Sequence, residues 1–160
     1  MKKGILLFLA LLLPGCIFLF LRIFGKNEFR VEPLFQNDKV KIERTDCGAI
    51  TFPYKISSDV TREIISPTDS LAIVCFDNPD GDPIFPKLED ELKSEPVRFT
   101  VVHPGSEPRS GWYRCVFLMT RPFNVALVDH EGTIRGQYNT ADRDEIDRLK
   151  TEITIILKKF

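Results

Sequence analysis

Three cysteines and two histidines carry most of the reactive potential of this chain outside its first 26 residues. The cysteines are Cys47, Cys75 and Cys115, and the histidines are His103 and His130. Thiolates and imidazoles together make soft metal sites, and paired thiols exchange with disulfides. The spacing supports neither chemistry strongly. No Cys-x-x-Cys or Cys-x-x-x-Cys occurs, so none of the three has a near neighbour of its own kind. Cys75 is the penultimate residue of the apolar run Leu71-Ala72-Ile73-Val74-Cys75-Phe76 and reads as a small buried residue, with a single surviving thiol as the alternative. Cys47 and Cys115 could bridge in an oxidising compartment. Three cysteines leave one over, however, and sequence supplies no distance, so separate thiols are the preferred reading and connectivity stays open. His103 and His130 flank turn residues and read as exposed surface. Asp77, Asp80 and Asp82 lack the order of a calcium loop and read as a solvated turn. No nucleophile–base pair, phosphate-cradling glycine loop or zinc motif is found.

The elements around these residues have clearer signatures. The 160 residues suit one modest domain plus an anchor, and a formal net charge of −1 argues against nucleic acid as a partner. Residues 1–3 form a short flank with Lys2 and Lys3. Residues 4–21 hold no charge, and the apolar stretch continues past Arg22 to Ile23 and Phe24. About 20 apolar residues span a bilayer as a helix, so residues 4–26 are expected to be a retained transmembrane signal anchor, with residues 4–24 in contact with lipid. The minority alternative is a lipoprotein signal ending at Cys16, after Leu13-Pro14-Gly15.

Residues 27–39 read as a tether with apolar hooks at Phe29, Val31, Leu34 and Phe35, and residues 40–160 as the folded domain. Val40 to Glu43 alternates like a short strand. Residues 50–56 are a second strand candidate, pushed to an edge by Pro53. Residues 59–65 could hold a helical turn. Leu71 to Phe76 is a strand covered on both faces. Phe85, Leu88 and Leu92 lie at helical spacing, and Val97, Phe99 and Val101 alternate. This strand–helix–strand order predicts a parallel pair. Residues 112–119 read as another strand, with Tyr113, Cys115 and Phe117 on one face.

The C-terminal portion is the most determined. Val125 to Val128 is an apolar strand, Asp129-His130-Glu131-Gly132 a turn, and residues 133–138 the returning strand. Asp142 is expected to cap the last helix with Glu145 as its capping-box partner. Ile146, Leu149, Ile153 and Ile156 form one stripe, and Asp144 and Arg148 an i,i+4 pair.

The strand end Leu127-Val128-Asp129, the Glu131-Gly132 turn, Ile134-Arg135-Gly136-x-Tyr138 and the helix with Asp147-Arg148-Leu149 together resemble the Sco (SenC) family of membrane-anchored copper and thiol proteins. The likeness is close over residues 126–157 and looser over about half the chain. It implies an α/β fold: a thioredoxin-like mixed sheet flanked by helices, preceded by one N-terminal transmembrane helix. It also implies a bacterial inner-membrane protein with its C-terminal domain in the periplasm, acting in respiratory-oxidase assembly or in copper or thiol homeostasis through an envelope protein partner.

The family carries Cys-x-x-x-Cys-Pro after its first central strand and a histidine before the strand that matches Val125 to Val128. Here the loop is Asp77-Asn78-Pro79-Asp80-Gly81-Asp82-Pro83, and Arg121-Pro122 stands near the histidine position. No copper ligand carries over, no cofactor is expected, and the expectation is a non-catalytic binding module. The alternative is an active thiol or copper protein that uses Cys75 or a Cys47/Cys115 arrangement.

Overall fold

The computed structural model describes residues 12–20, 30–37, 47–76, 84–103 and 111–158. The chain divides into two units, Met1–Arg30 and Val31–Phe160. In the first, residues 12–20 are helical, and the large apolar side chains of Leu12, Leu13, Ile17, Phe18, Leu19 and Phe20 are exposed. Among the described residues no helix is long and apolar enough to cross a membrane. Much of the expected 4–26 anchor lies outside them, as do the 40–43 strand and the Asp77 to Pro83 loop.

The second unit is a mixed α/β structure. Its elements are α1 (Ser58–Ile64), β1 (Leu71–Cys75), α2 (Ile84–Leu92), β2 (Val97–Val101), a π-helical turn (Trp112–Val116), β3 (Val125–Asp129), β4 (Ile134–Tyr138) and α3 (Arg143–Leu157). The four strands form one sheet in the order β2-β1-β3-β4. β1 and β2 are parallel, Leu71 opposite Val97 and Cys75 opposite Val101, as the strand–helix–strand pattern predicts. β3 runs antiparallel to both β1 and β4. A register shift between Leu127 and Val128 lets the β3–β4 turn close.

The sheet is buried on both faces because β1 and β3 have no polar residue before Asp129. Alternation then sorts the side chains, and the β3–β4 register shift turns Ile134 to the face opposite Tyr138. Leu71, Ile73, Cys75, Val125, Leu127 and Tyr138 face Phe85 and Leu88 of α2 and Leu149, Ile153 and Ile156 of α3. Ala72, Val74, Ala126, Val128 and Ile134 face the other way, onto Ile56, Ile64, Ile65, Trp112, Phe117 and Met119. The α3 stripe is buried as expected at Ile146, Leu149, Ile153 and Ile156. Three of the tether's hooks also belong to the core: Val31 packs against the first group, Leu34 and Phe35 against the second.

Two expected strands are absent from the places assigned to them. In the 112–119 segment Trp112–Val116 forms a π-helical turn instead, closed by the Phe117 N–H donating to the Trp112 carbonyl at 2.9 Å. Alternation of Tyr113, Cys115 and Phe117 imitates a strand. The residues that reach the core are Trp112, Tyr113, Val116 and Phe117, which is helical spacing. β1 and β3 already have neighbours on both sides, so neither could pair with this segment. Residues 50–56 make no ladder and bend at Phe52 and Pro53. Tyr54 N–H donates to Phe35 and Ile56 N–H to Gly132, two partners on different segments, and Pro53 has no N–H to offer.

Asp142 does cap α3, accepting from the Asp144 N–H at 3.0 Å, but the capping box is not formed. Glu145 is instead held by Arg148, and Arg148 reaches Glu145 and Glu152 rather than Asp144. Those partners draw it to the sheet side of the helix, where it also donates to the Gln137 carbonyl at 2.9 Å and lies over the Tyr138 ring.

Candidate functional site

Cys75 sits at the end of β1 with 2% of its surface exposed, packed among Phe85, Leu88 and Val125. That matches the buried-residue reading. Cys47 and Cys115 are brought together: they form a disulfide across 68 residues, with Cα atoms 5.1 Å apart. Separate thiols were the expected state, because only the folded chain brings residue 47 beside the π-helical turn. The Tyr54 hydroxyl reinforces the same junction, donating to the Val116 carbonyl at 2.7 Å. Burial pushes the Tyr54 phenol above its ordinary range.

His103 and His130 are both exposed, as expected. Among the described residues no group of three or more His, Cys, Asp or Glu side chains could hold a metal ion. Arg121 and Pro122 are exposed in the approach to β3, and the Asp77 to Pro83 loop lies outside the described residues.

The polar groups that the fold does concentrate lie at the C-terminal unit. Asp129 closes the β3–β4 turn: Oδ1 accepts from the N–H groups of Glu131 and Thr133 at 3.0 and 2.9 Å. Its Oδ2 accepts from Arg135 Nε at 2.9 Å, and Arg135 also donates to the Val31 carbonyl at 3.3 Å. The carboxylate is almost wholly buried, so these bonds are what allow the charge there. Gly132 completes the turn at φ +78°, and a Cβ there would lie 2.7 Å from Thr61 Oγ1 and 2.9 Å from the Ile56 carbonyl oxygen. The turn is therefore also the seat on which the segment before α1 rests.

A second knot carries no local signal in the sequence. Asn124 and Thr140 are buried and exchange two bonds: Asn124 Nδ2 donates to Thr140 Oγ1 at 2.7 Å, and the Thr140 N–H returns to Asn124 Oδ1 at 2.9 Å. Tyr138 makes a third, donating to Glu152 Oε2 at 2.5 Å. Burial, and after it the hydrogen bond to Glu152, push the Tyr138 phenol far above its ordinary range. Its ring occupies the space over Gly136, where a Cβ would lie 2.0 Å from the hydroxyl oxygen.

All three knots join elements of the scaffold to one another. Their hydrogen bonds run between side chains and backbone of the same fold, which suits structural fixation.

The class of protein defined by these features is a mixed α/β domain, with a four-stranded mixed sheet flanked by helices and an added disulfide. Comparison with known protein families, with curated proteins and with solved structures finds no match.

Proposed function

We propose that this is a membrane-tethered, thioredoxin-like binding or assembly module of the bacterial envelope, Sco-like in scaffold and non-catalytic. The observation that carries the reading is the strand order β2-β1-β3-β4 with β3 antiparallel to its neighbours. With α2 joining the parallel pair and α3 closing the chain, it supports the thioredoxin-like core suggested by the order of elements in the sequence. The Cys47–Cys115 bridge supports an oxidising compartment such as the periplasm. The apolar residues 4–24 supply the tether to the inner membrane. On this reading the chain contributes a surface to respiratory-oxidase assembly or to copper or thiol homeostasis, an assignment that rests on scaffold analogy.

The test is a Cu(I) and Cu(II) titration of the full chain in nanodiscs, paired with an insulin-reduction assay. Neither stoichiometric copper retention against a chelator nor disulfide reductase activity is expected. Either one removes the non-catalytic reading.

The bridge itself favours a second reading. Both of its residues are partly exposed, so a partner thiolate could reach one of them. In that exchange a partner dithiol is oxidised to a disulfide as Cys47–Cys115 is reduced to two thiols, passing through a mixed disulfide. Trapping of a mixed disulfide by a Cys47→Ser or Cys115→Ser chain would support this reading. A chain lacking Cys47, Cys75 and Cys115 that complements a deletion strain fully would eliminate it.

A further inference from the structure

A groove of about 400 Å³ separates α2 from α3. One wall is the α2 face formed by Ile84, Lys87 and Leu88, at positions i, i+3 and i+4. The other is the α3 face formed by Arg143, Ile146, Asp147 and Lys150, at i, i+3, i+4 and i+7. Leu88 and Ile146 are buried and make an apolar floor. Towards the C-terminal part of α2 the groove is bridged by Lys150, whose Nζ lies 2.5 Å from Glu91 Oε2. The hydrogen bond from Lys150 holds the Glu91 carboxyl below its ordinary range. The first residues of the two helices, Ile84 and Arg143, frame the other end.

The described charges on the walls of this groove do not cancel. Among the described residues, Lys87, Arg143 and Lys150 stand against Asp147 on the wall and Glu91 on Lys150, which leaves one positive charge. The Arg143 guanidinium has no ion-pair partner among the described residues. A floor of aliphatic side chains beside one uncompensated charge suits a ligand with an apolar body and a single anionic head. The volume falls at the small end of ligand cavities, which run from roughly 300 to 1,000 Å³. A long lipid chain would not be enclosed, whereas a short alkyl or single aryl tail would.

We propose that the α2–α3 groove is a binding site for a small amphiphilic monocarboxylate. The tail lies on Leu88 and Ile146, and the carboxylate is held by Arg143 and Lys87. Guanidinium is suited to this because its planar donors match a carboxylate in pairs. The site uses none of the cysteines and is independent of the scaffold analogy above.

The probe is 4-phenylbutyrate, with 4-phenylbutan-1-ol and acetate as controls. It is titrated into the full chain in nanodiscs with isotope-labelled Ile and Leu methyl groups. Saturable shifts are expected at Ile84, Leu88 and Ile146, with the alcohol and acetate each binding at least roughly tenfold more weakly. The double substitution K87Q/R143Q is expected to weaken 4-phenylbutyrate by roughly tenfold or more, the scale of losing a charge-assisted contact. The charge-retaining R143K/K87R should recover most of the affinity. The proposal is overturned by equal affinity for acid and alcohol, by methyl shifts confined to other residues, by the absence of saturation, or by an unchanged Kd in K87Q/R143Q. Should K87Q/R143Q fail to fold, acid against alcohol on the unaltered chain decides the matter.

Discussion

The two faces of the sheet are built in different ways. One is covered by regular helices: Leu71, Ile73, Val125 and Leu127 meet α2 and α3 along periodic stripes. The other is covered by irregular chain: Ala72, Val74, Ala126 and Val128 meet Ile56, Trp112, Phe117 and Met119, with only the seven residues of α1 in regular form beside the π-helical turn. A helix satisfies its own backbone, so its sequence need specify only an apolar stripe. Irregular chain must find partners elsewhere for each N–H and C=O. Here they are scattered: Leu34 to Ile134, Tyr54 to Phe35, Ile56 to Gly132, and the Tyr54 hydroxyl to Val116. The disulfide lies on this second side, where the cover has least cohesion of its own. Aromatic packing adds to it, with Phe76 set edge-on to both Tyr113 and Phe117.

Reduction of the bridge provides the strongest way to break this comparison. Closing a loop of 68 residues restricts the unfolded chain by about 4 kcal/mol on a chain-entropy basis. A Cys115→Ser chain is expected to lose about that much in urea unfolding. Hydrogen exchange should quicken first at residues 47–56 and 112–117, with α3 still protected. Equal loss of protection in α3 would show that the two faces open together.

The helical face has its own test in Leu149, which is fully buried. Leu149→Ala should cost about 3 kcal/mol, within the roughly 2–5 kcal/mol observed for such cavities. An unchanged melting temperature would refute the packing of α3 on the sheet.

A smaller effect, about 2 kcal/mol, is expected from Gly136→Ala. The added methyl meets the Tyr138 hydroxyl and forces that ring off its place under Glu152. The second substitution Tyr138→Phe should relieve part of this cost. If the two losses simply add, the ring does not occupy the space over Gly136.

The smallest expected effect lies at the turn that joins the two faces. Lys55 and Glu131 pair at 2.7 Å on an exposed surface, and the hydrogen bond from Lys55 holds the Glu131 carboxyl below its ordinary range. A depressed carboxyl contributes stability that is present above its unfolded pKa and is lost as pH falls through the folded value. An NMR titration should therefore place the Glu131 midpoint below that of a free glutamate, and Lys55→Ala should return it upward. A midpoint unchanged by Lys55→Ala would remove this tie between the segment before α1 and the β3–β4 turn.

The helical face was largely legible in the residues. Phe85 and Leu88, the alternation through Val97, Phe99 and Val101, and the Ile146–Leu149–Ile153–Ile156 stripe each carry a period that a single element reveals. Where local pattern and global pairing conflict, the pattern misled. Tyr113, Cys115 and Phe117 alternate like a strand, yet the sheet had no free edge at β1 or β3 to accept them. Asp144 and Arg148 have ideal helical spacing, yet Arg148 turns to Glu145, Glu152 and the Tyr138 ring, where the sheet offers more partners.

Sequence by itself determined the elements whose signals are local: two apolar strands, two amphipathic helices, a glycine turn and an aspartate cap. It also determined that no pair of neighbouring cysteines exists. Tertiary structure alone decided which cysteines meet, what closes the second face, and which partners Asp129, Tyr138 and Asn124 take. The physical reason is range. A period or a cap is set by residues a few positions apart, whereas a disulfide over 68 residues or a bond between Arg135 and Val31 depends on how the whole chain has been brought together.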